Sequence, residues 1–146
     1  MNRKNLLLIT GFLIIVAALV VGYFEVRAES VEDISRKWDI SGHADRTSDS
    51  FTHWDEDEPP VIPANCAKCH STYGYHDFLG EDGSTAGQVD MEAKTGSVVF
   101  CTVCHNESAH QMTEVAYPSG DVVTGMGSAA SCLQCHQGRQ STVSVN

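Results

Sequence analysis

The longest run of hydrophobic positions in the chain lies close to its N-terminus. Residues 6–24 read LLLITGFLIIVAALVVGYF, 19 consecutive residues without a charge. As a helix with a rise of 1.5 Å per residue, this run would span roughly 28 Å, close to the hydrocarbon thickness of a bilayer. The pattern predicts a transmembrane anchor over residues 6–24, with residues 1–5 in the cytoplasm.

The charges that flank this run predict its orientation. Arg3 and Lys4 precede it, and the residues that follow it are mainly acidic. Because basic residues favour the cytoplasmic side, the rest of the chain is expected on the periplasmic or extracellular side of the cytoplasmic membrane. The alternative is a cleaved signal peptide, with Val26-Arg27-Ala28 as a poor cleavage site, although the length of the run favours an anchor. Both interpretations export the rest of the chain.

After the anchor, the polar and apolar positions predict short elements. Residues 30–39 are typical of a short polar helix, with Ser30 as N-cap and Asp33 as the acid of a capping box. Residues 113–124 contain two short apolar runs on either side of Pro118-Ser119-Gly120, which predicts a small β-hairpin.

Residues 25–60 are interpreted as a linker to a domain over residues 61–146. The linker ends in Asp55-Glu56-Asp57-Glu58 and Pro59-Pro60, an acidic segment stiffened by proline. A calcium site is the alternative for the four acids, but they lack the alternating ligands and the glycine of a calcium loop. A solvated segment is therefore expected there.

Length and charge limit the classes of function. The chain has 146 residues and a net charge of −10, from 19 acidic and 9 basic side chains. So acidic a chain is not expected to bind nucleic acid. An acidic surface suits solubility, or a basic soluble redox protein as partner. One modest domain fits the length, but residues 61–146 hold few apolar runs from which to build its core.

The candidate chemistry lies in a pattern that occurs three times, Cys-x-x-Cys-His. Two thiols three residues apart lie on one helical turn, where each can form a thioether with a vinyl group of haem. The histidine that follows is the proximal axial ligand of the iron. The sequence thus predicts three covalently bound haem c groups. They are attached by Cys66, Cys69, Cys101, Cys104, Cys132 and Cys135, with iron ligands His70, His105 and His136.

Paired cysteines also occur in zinc sites and in dithiol redox centres, which are the alternatives. Neither alternative requires a histidine after every second cysteine. With 7 histidines in 146 residues, three such positions would arise by chance with a probability on the order of one in ten thousand. An odd number of pairs also fits four-cysteine zinc sites poorly.

Three macrocycles would supply the buried apolar surface that this chain lacks. The predicted fold class is therefore a mostly irregular chain with short α-helices, built around three haems and preceded by one transmembrane helix. Without haem, the domain is expected to be largely unfolded.

Four histidines outside the motifs are candidates for the sixth coordination position of each iron. His43 and His53 precede the first motif, and His76 and His110 follow the first and second motifs. Surface positions, helix caps or hydrogen bonds to haem propionates are the alternatives. Three methionines, Met91, Met112 and Met126, are interpreted as packing residues.

Three features of the sequence carry a resemblance to a known family: the three motifs, the segments GHA and FTHW that hold His43 and His53, and the sequence CHQGR that begins at the last cysteine. In these features the chain resembles multihaem c-type cytochromes of bacterial respiratory chains. The resemblance covers about residues 41–140. It implies closely packed haems with two histidine ligands each, His43 and His53 as distal ligands, and redox proteins as partners. Longer relatives continue beyond CHQGR to further haems. This chain is therefore expected to be part of a longer protein or to need additional cytochrome subunits, and a complete three-haem protein is the alternative. The anchor is similar to that of membrane-bound tetrahaem quinol oxidisers, which implies a quinol as candidate donor, but this chain has three motifs.

The function expected from these features is single-electron transfer by a membrane-anchored multihaem cytochrome, not catalysis by an enzyme. The alternative is part of a multihaem reductase of a small nitrogen or sulfur compound, which needs an iron with an open position. Four additional histidines are enough to fill three sixth positions, which favours the electron carrier. A scaffolding subunit is a third interpretation.

Overall fold

The computed structural model describes residues 2–27 and 29–138, with the backbone alone for residues 24–27. Ala28 of the candidate cleavage site and the C-terminal part of the predicted domain, residues 139–146, lie outside these ranges. The described residues form eight helices: α1 (Arg3–Arg27), α2 (Val31–Asp39), α3 (Asp49–Thr52), α4 (Ala64–His70), α5 (Thr72–Leu79), α6 (Cys101–Cys104), α7 (Glu107–Gln111) and α8 (Ala129–Cys135). They also form four strands: β1 (Val61–Ile62), β2 (Ala93–Lys94), β3 (Val115–Ala116) and β4 (Val122–Val123).

Helices are the main regular structure, and irregular segments connect them. The described part of the chain is therefore more helical than the mostly irregular fold that was predicted, because α3, α5 and α7 left no clear pattern in the sequence. The helices after α1 are short, as expected.

The chain divides into two compact units, Met1–Asp39 and Ile40–Asn146. The segment interpreted as a linker, residues 25–60, is divided between them. In the first unit, α1 is long and apolar enough to cross a membrane, with a mean hydropathy of 2.7 over its most apolar part. A membrane anchor and a signal sequence both fit this helix.

Helix α2 begins as the sequence predicted. The amide of Asp33 donates to the hydroxyl of Ser30 at 3.1 Å, and this hydroxyl donates to the Asp33 carboxylate at 2.8 Å. Ser30 thus caps a helix whose first turn is acidic, an arrangement that also suits the helix dipole.

Two small antiparallel sheets occur in the second unit. Strands β3 and β4 pair Val115 with Val123 and Ala116 with Val122, which confirms the predicted hairpin. Strands β1 and β2 pair Val61 with Lys94 and Ile62 with Ala93. This second pairing was not predicted, because two-residue strands far apart in sequence carry no periodic signal.

The buried side chains of the second unit form two small clusters. Tyr75, Leu79, Val103 and Ala109 form one, and Ile62, Ala67 and Ala93 form the other. The protein therefore has an apolar core of its own, and that core is small for a chain of 146 residues.

Helix α5 packs closely on α4 because Gly74 faces it. A Cβ atom at Gly74 would lie 2.4 Å from the carbonyl oxygen of Ala67, well inside van der Waals contact. Ser71 caps α5 by accepting from the amides of Tyr73 and Gly74, and Gly80 ends the helix with a φ of 73°. The buried carboxylate of Asp77 accepts from the amide of Asp90 at 3.2 Å, which holds the loop after α5 against the helix.

Candidate functional site

All three Cys-x-x-Cys pairs lie on helical turns. The first pair lies within α4, which ends at His70; the second pair spans α6, which is followed by His105; the third pair ends α8, which is followed by His136. Each histidine thus lies at the end of its helix or directly after it. In this position the two thiols and the imidazole can approach one ligand together.

All six cysteines have free thiols. Cys101, Cys104 and Cys132 are exposed, and Cys66, Cys69 and Cys135 are partly exposed. The thiols are therefore accessible for thioether formation.

The first and third motifs come together although 66 residues separate Cys69 from Cys135. Helices α4 and α8 pack against each other, and the Cys69 thiol donates to the carbonyl of Gln134 at 3.8 Å. The Cys135 thiol donates to the carbonyl of Lys68 at 3.6 Å. These two contacts are reciprocal, so each motif is fixed to the backbone of the other.

A cavity of about 510 Å³ lies between these two motifs. Ligand pockets in proteins commonly range from about 300 to 1,000 Å³. The lining includes His43, the buried Phe51 and the histidines of both motifs, His70 and His136. We call this space the 1/3 cavity; the residues that line it are Ser41, Gly42, His43, Ser48, Ser50, Phe51, Cys69, His70, Val99, Cys135 and His136.

The thiols of Cys69 and Cys135 lie close enough to interact, and this interaction shifts the pKa of each. It lowers the pKa of Cys69 to about 6 against the opposing effect of burial, and the positive charge of Lys68 also lowers it. The same interaction raises the pKa of the Cys135 thiol, with burial as the second cause. The pair therefore loses its first proton more easily than a free thiol and its second with more difficulty.

The rings of His43 and His136 face the 1/3 cavity, with their centres 6.0 Å apart and their planes at 51°. Two imidazoles that bind one iron through nitrogens about 2 Å from the metal have ring centres roughly 6 Å apart. The backbone of His43 is fixed by a hydrogen bond from the amide of Val99 to its carbonyl at 3.0 Å. The structure thus pairs a histidine from before the motifs with the histidine of the third motif.

A second pair of histidines lies at the second motif. The ring centres of His105 and His110 are 6.2 Å apart, with an angle of 63° between the planes. Helix α7 carries His110, and Asn106 caps this helix by accepting from the amide of Ala109 at 2.7 Å. The cap redirects the chain directly after His105, which brings His110 back to it.

His70 is held at its Nδ1 atom, which lies 2.7 Å from the carbonyl oxygen of Ser50. Since a carbonyl can only accept, Nδ1 carries the proton and Nε2 is left as the acceptor atom. Histidines that bind metals are commonly oriented by such a bond. His70 is therefore in the tautomer that iron ligation requires.

The ring of Trp54 lies edge-on to His70 at 5.3 Å and to His53 at 4.9 Å. His53 thus reaches the surroundings of the first motif through Trp54. His53 and His43 do not share a helix, because α3 covers only Asp49–Thr52 and turns precede it.

His76 lies beside the second motif, not the first motif that precedes it in sequence. Its Nε2 atom is 3.3 Å from the carbonyl oxygen of Thr102, to which it donates. In this arrangement Nε2 is engaged with the backbone and not directed to an iron.

Sequence reasoning did not find the carbonyl of Ser50 as the group that orients His70. A backbone carbonyl carries no signal in the residue type. The proximity of the first and third motifs likewise depends on tertiary packing that the motifs do not encode.

The residues fit haem c better than a bare metal ion. In residues 2–27 and 29–138, no group of three or more His, Cys, Asp or Glu side chains converges as a metal site. A haem iron takes only two axial protein ligands, and pairs of histidines are what the structure brings together. The free thiols on helical turns and the largely apolar 1/3 cavity fit the attachment and burial of the macrocycle.

A scan against protein-family models, a search of curated proteins and a search of solved structures found no match to this chain.

Proposed function

We propose that this protein is a membrane-anchored c-type cytochrome that carries three covalently bound haems and transfers single electrons outside the cytoplasm. The observation that carries the proposal is the pairing of His43 with His136 at the 1/3 cavity, directly beside the thiol of a Cys-x-x-Cys-His motif. One site thus offers a thiol for the attachment of haem and two histidines for the two axial positions of its iron.

In this function the six cysteines fix three haems, and His70, His105 and His136 are the proximal ligands. The ring spacing supports His43 as distal ligand at the third motif and His110 at the second. His53 is the proposed distal ligand at the first motif, because the Nε2 atom of His76 is engaged by Thr102. Haem iron, when bound, accepts and releases one electron between its ferric and ferrous states.

The paired histidines favour an electron carrier. An iron with two imidazole ligands has no position for a substrate, and fixed coordination limits rearrangement when an electron arrives. The hydrogen bond from His70 to the Ser50 carbonyl keeps one such ligand in place. The protein thus sets ligand identity and spacing, and the cofactor supplies the redox chemistry.

The N-terminal helix and its flanking charges support the proposed location. Helix α1 is apolar enough to cross the membrane, and Arg3 and Lys4 favour a cytoplasmic N-terminus. The second unit then lies on the outer side, where cysteines are matured with haem. The net charge of −10 favours partners with a basic surface.

The test is to produce the full chain in a bacterium with a haem-ligation system and to analyse the purified protein by mass spectrometry and low-temperature spectroscopy. We expect three covalent haems, all low-spin. Replacement of Cys101 and Cys104 by Ser should remove one haem and keep two. Fewer than three haems on the unaltered chain would contradict the cofactor assignment, and a high-spin haem would favour the reductase.

A further inference from the structure

Helix α2 (Val31–Asp39) is amphipathic, and its apolar face is not buried in the protein. Its three apolar side chains, Val31, Ile34 and Trp38, recur at positions i, i+3 and i+7. At about 100° per residue they lie within roughly 60° of one another around the helix. No residue of α2 is buried, and Val31 and Ile34 are 83% and 52% exposed. We call this apolar face the α2 stripe.

The charged side chains of α2 lie on the other side of the helix, and both of its cations are paired with acids. Arg36 forms an ion pair with Asp33 at 2.8 Å, and Lys37 forms one with Glu29 at 2.5 Å. Arg36 lies about 160° from Ile34 around the helix axis. Because each cation has an acidic partner, α2 offers no surplus of positive charge to anionic lipids. A contact with lipid must therefore come from the α2 stripe.

The chain keeps α2 close to the membrane that α1 is proposed to span. Helix α1 ends at Arg27 and α2 begins at Val31. Four Cα–Cα steps of about 3.8 Å extend over at most about 15 Å. The headgroup region outside the hydrocarbon core is itself several ångströms thick. Helix α2 thus begins within the membrane interface or next to it.

We propose that α2 is an interfacial helix that lies on the outer surface of the membrane, with the α2 stripe in contact with lipid. The inference rests on the proposed function only in that α1 spans the membrane. Amphipathic helices of this kind lie in the plane of the interface, with the apolar face at the boundary between headgroups and acyl chains. Tryptophan, which Trp38 adds to the stripe, is enriched at this level.

A lipid surface fits the α2 stripe better than a protein partner. A stable protein interface engages roughly 20–30 residues on each side, whereas α2 has 9 residues. A helix joined to a membrane span needs little affinity of its own, because the tether keeps its local concentration at the surface high. The second unit begins at Ile40, directly after α2. An interfacial α2 therefore also fixes where the chain leaves the membrane surface.

The test is photocrosslinking of the full chain in membranes isolated from cells with a haem-ligation system. A benzophenone amino acid replaces Ile34 on the α2 stripe or, as matched control, Arg36 on the charged side of the same helix. After irradiation, mass spectrometry of the purified chain identifies adducts with lipid. We expect a several-fold higher yield of lipid adducts at position 34 than at position 36. Salt at about 1 M, which screens charges beyond about 3 Å, should not reduce the yield at position 34.

Four results would overturn the proposal: crosslinks from position 34 to protein instead of lipid, no adduct at position 34, equal yields of lipid adduct at the two positions, or loss of the lipid adducts in high salt. The intact mass of the same chain shows whether residues 1–28 are retained and how many haems are bound. A chain that keeps α1 and three haems but gives no lipid adduct at position 34 contradicts this inference alone. A chain that lacks residues 1–28 contradicts the anchor and, with it, the inference.

Discussion

At the scale of single residues, the sequence shows which side chains could form the candidate site, but not how those side chains are oriented. The six cysteines and the histidines after them follow from the motif alone. The tautomer of His70, however, is set by the carbonyl of Ser50, 2.7 Å from its Nδ1 atom. The partner of His136 is likewise set by the turn that carries His43, and nothing in the spacing of these two residues indicates that they meet.

Replacement of His43 by Ala should convert the haem of the third motif from low-spin to high-spin, because it removes the ring that faces His136. Electron paramagnetic resonance at low temperature would detect the change, and carbon monoxide should then bind to one haem. The matched control is His76→Ala, since its Nε2 atom donates to Thr102 and its loss should leave all three haems low-spin. If His43→Ala also leaves three low-spin haems, the 6.0 Å spacing is an ordinary contact between two rings.

The raised pKa of Tyr75 predicts that the protein becomes less stable at alkaline pH. Burial raises the pKa of its hydroxyl from 10.0 to about 12, so the folded state disfavours the tyrosinate. This contribution to the free energy of unfolding is fully present below pH 10 and is lost as the pH rises from about 10 to about 12.

Tyr75→Phe should therefore be less stable than the unaltered protein at pH 9, by about 1 kcal/mol for the lost hydrogen bond. The difference should reverse at pH 11.5, because ionisation of Tyr75 in the unfolded state has then cost the unaltered protein about 2 kcal/mol, whereas the variant has no hydroxyl to ionise. Urea unfolding at the two pH values measures both quantities. A difference that stays constant would show that Tyr75 does not resist ionisation in the folded state.

At the scale of secondary structure, elements with local signals were predictable. The capping box of α2, the hairpin of β3 and β4 and the apolar helix α1 all have cues in adjacent residues. The pairing of β1 with β2 and the helix α5 were not found. Strands of two residues are defined by their distant partner, and α5 depends on its packing against α4.

Gly74→Ala should destabilise the protein, because the added methyl group would overlap the backbone of Ala67 at 2.4 Å and force α4 and α5 apart. Overpacked positions cost typically about 1–3 kcal/mol. Chemical denaturation of the holoprotein measures this loss. Tyr73→Ala is the control in the same helix; its side chain is exposed, so it should change stability by much less. Equal losses for the two variants would show that the close approach at Gly74 is not what holds the helices.

At the scale of the whole molecule, the sequence shows the three repeats of the motif but not how the structure groups them. Three repeats of one motif predict three equivalent sites, whereas the structure brings the first and third motifs to one cavity and gives the second its own histidine pair. This grouping follows from the packing of α4 on α8, which are separated by 58 residues in the sequence. Contacts of such separation cannot be inferred from local spacing.

The membrane topology of the chain is testable by protease protection. With Arg3 and Lys4 before an uncharged helix, the N-terminus is expected in the cytoplasm and the second unit outside. Protease added to spheroplasts should release the haem-bearing unit and leave a reporter fused to the N-terminus intact.

A variant with Arg3→Glu and Lys4→Glu is the matched control, because it removes the charge bias and should reduce the protease-accessible fraction. If the haem-bearing unit is protected while the N-terminal reporter is digested, the orientation is the reverse of the one proposed. If haem is found in soluble protein that lacks residues 1–28, the helix is a signal sequence that is removed, and export is retained without an anchor.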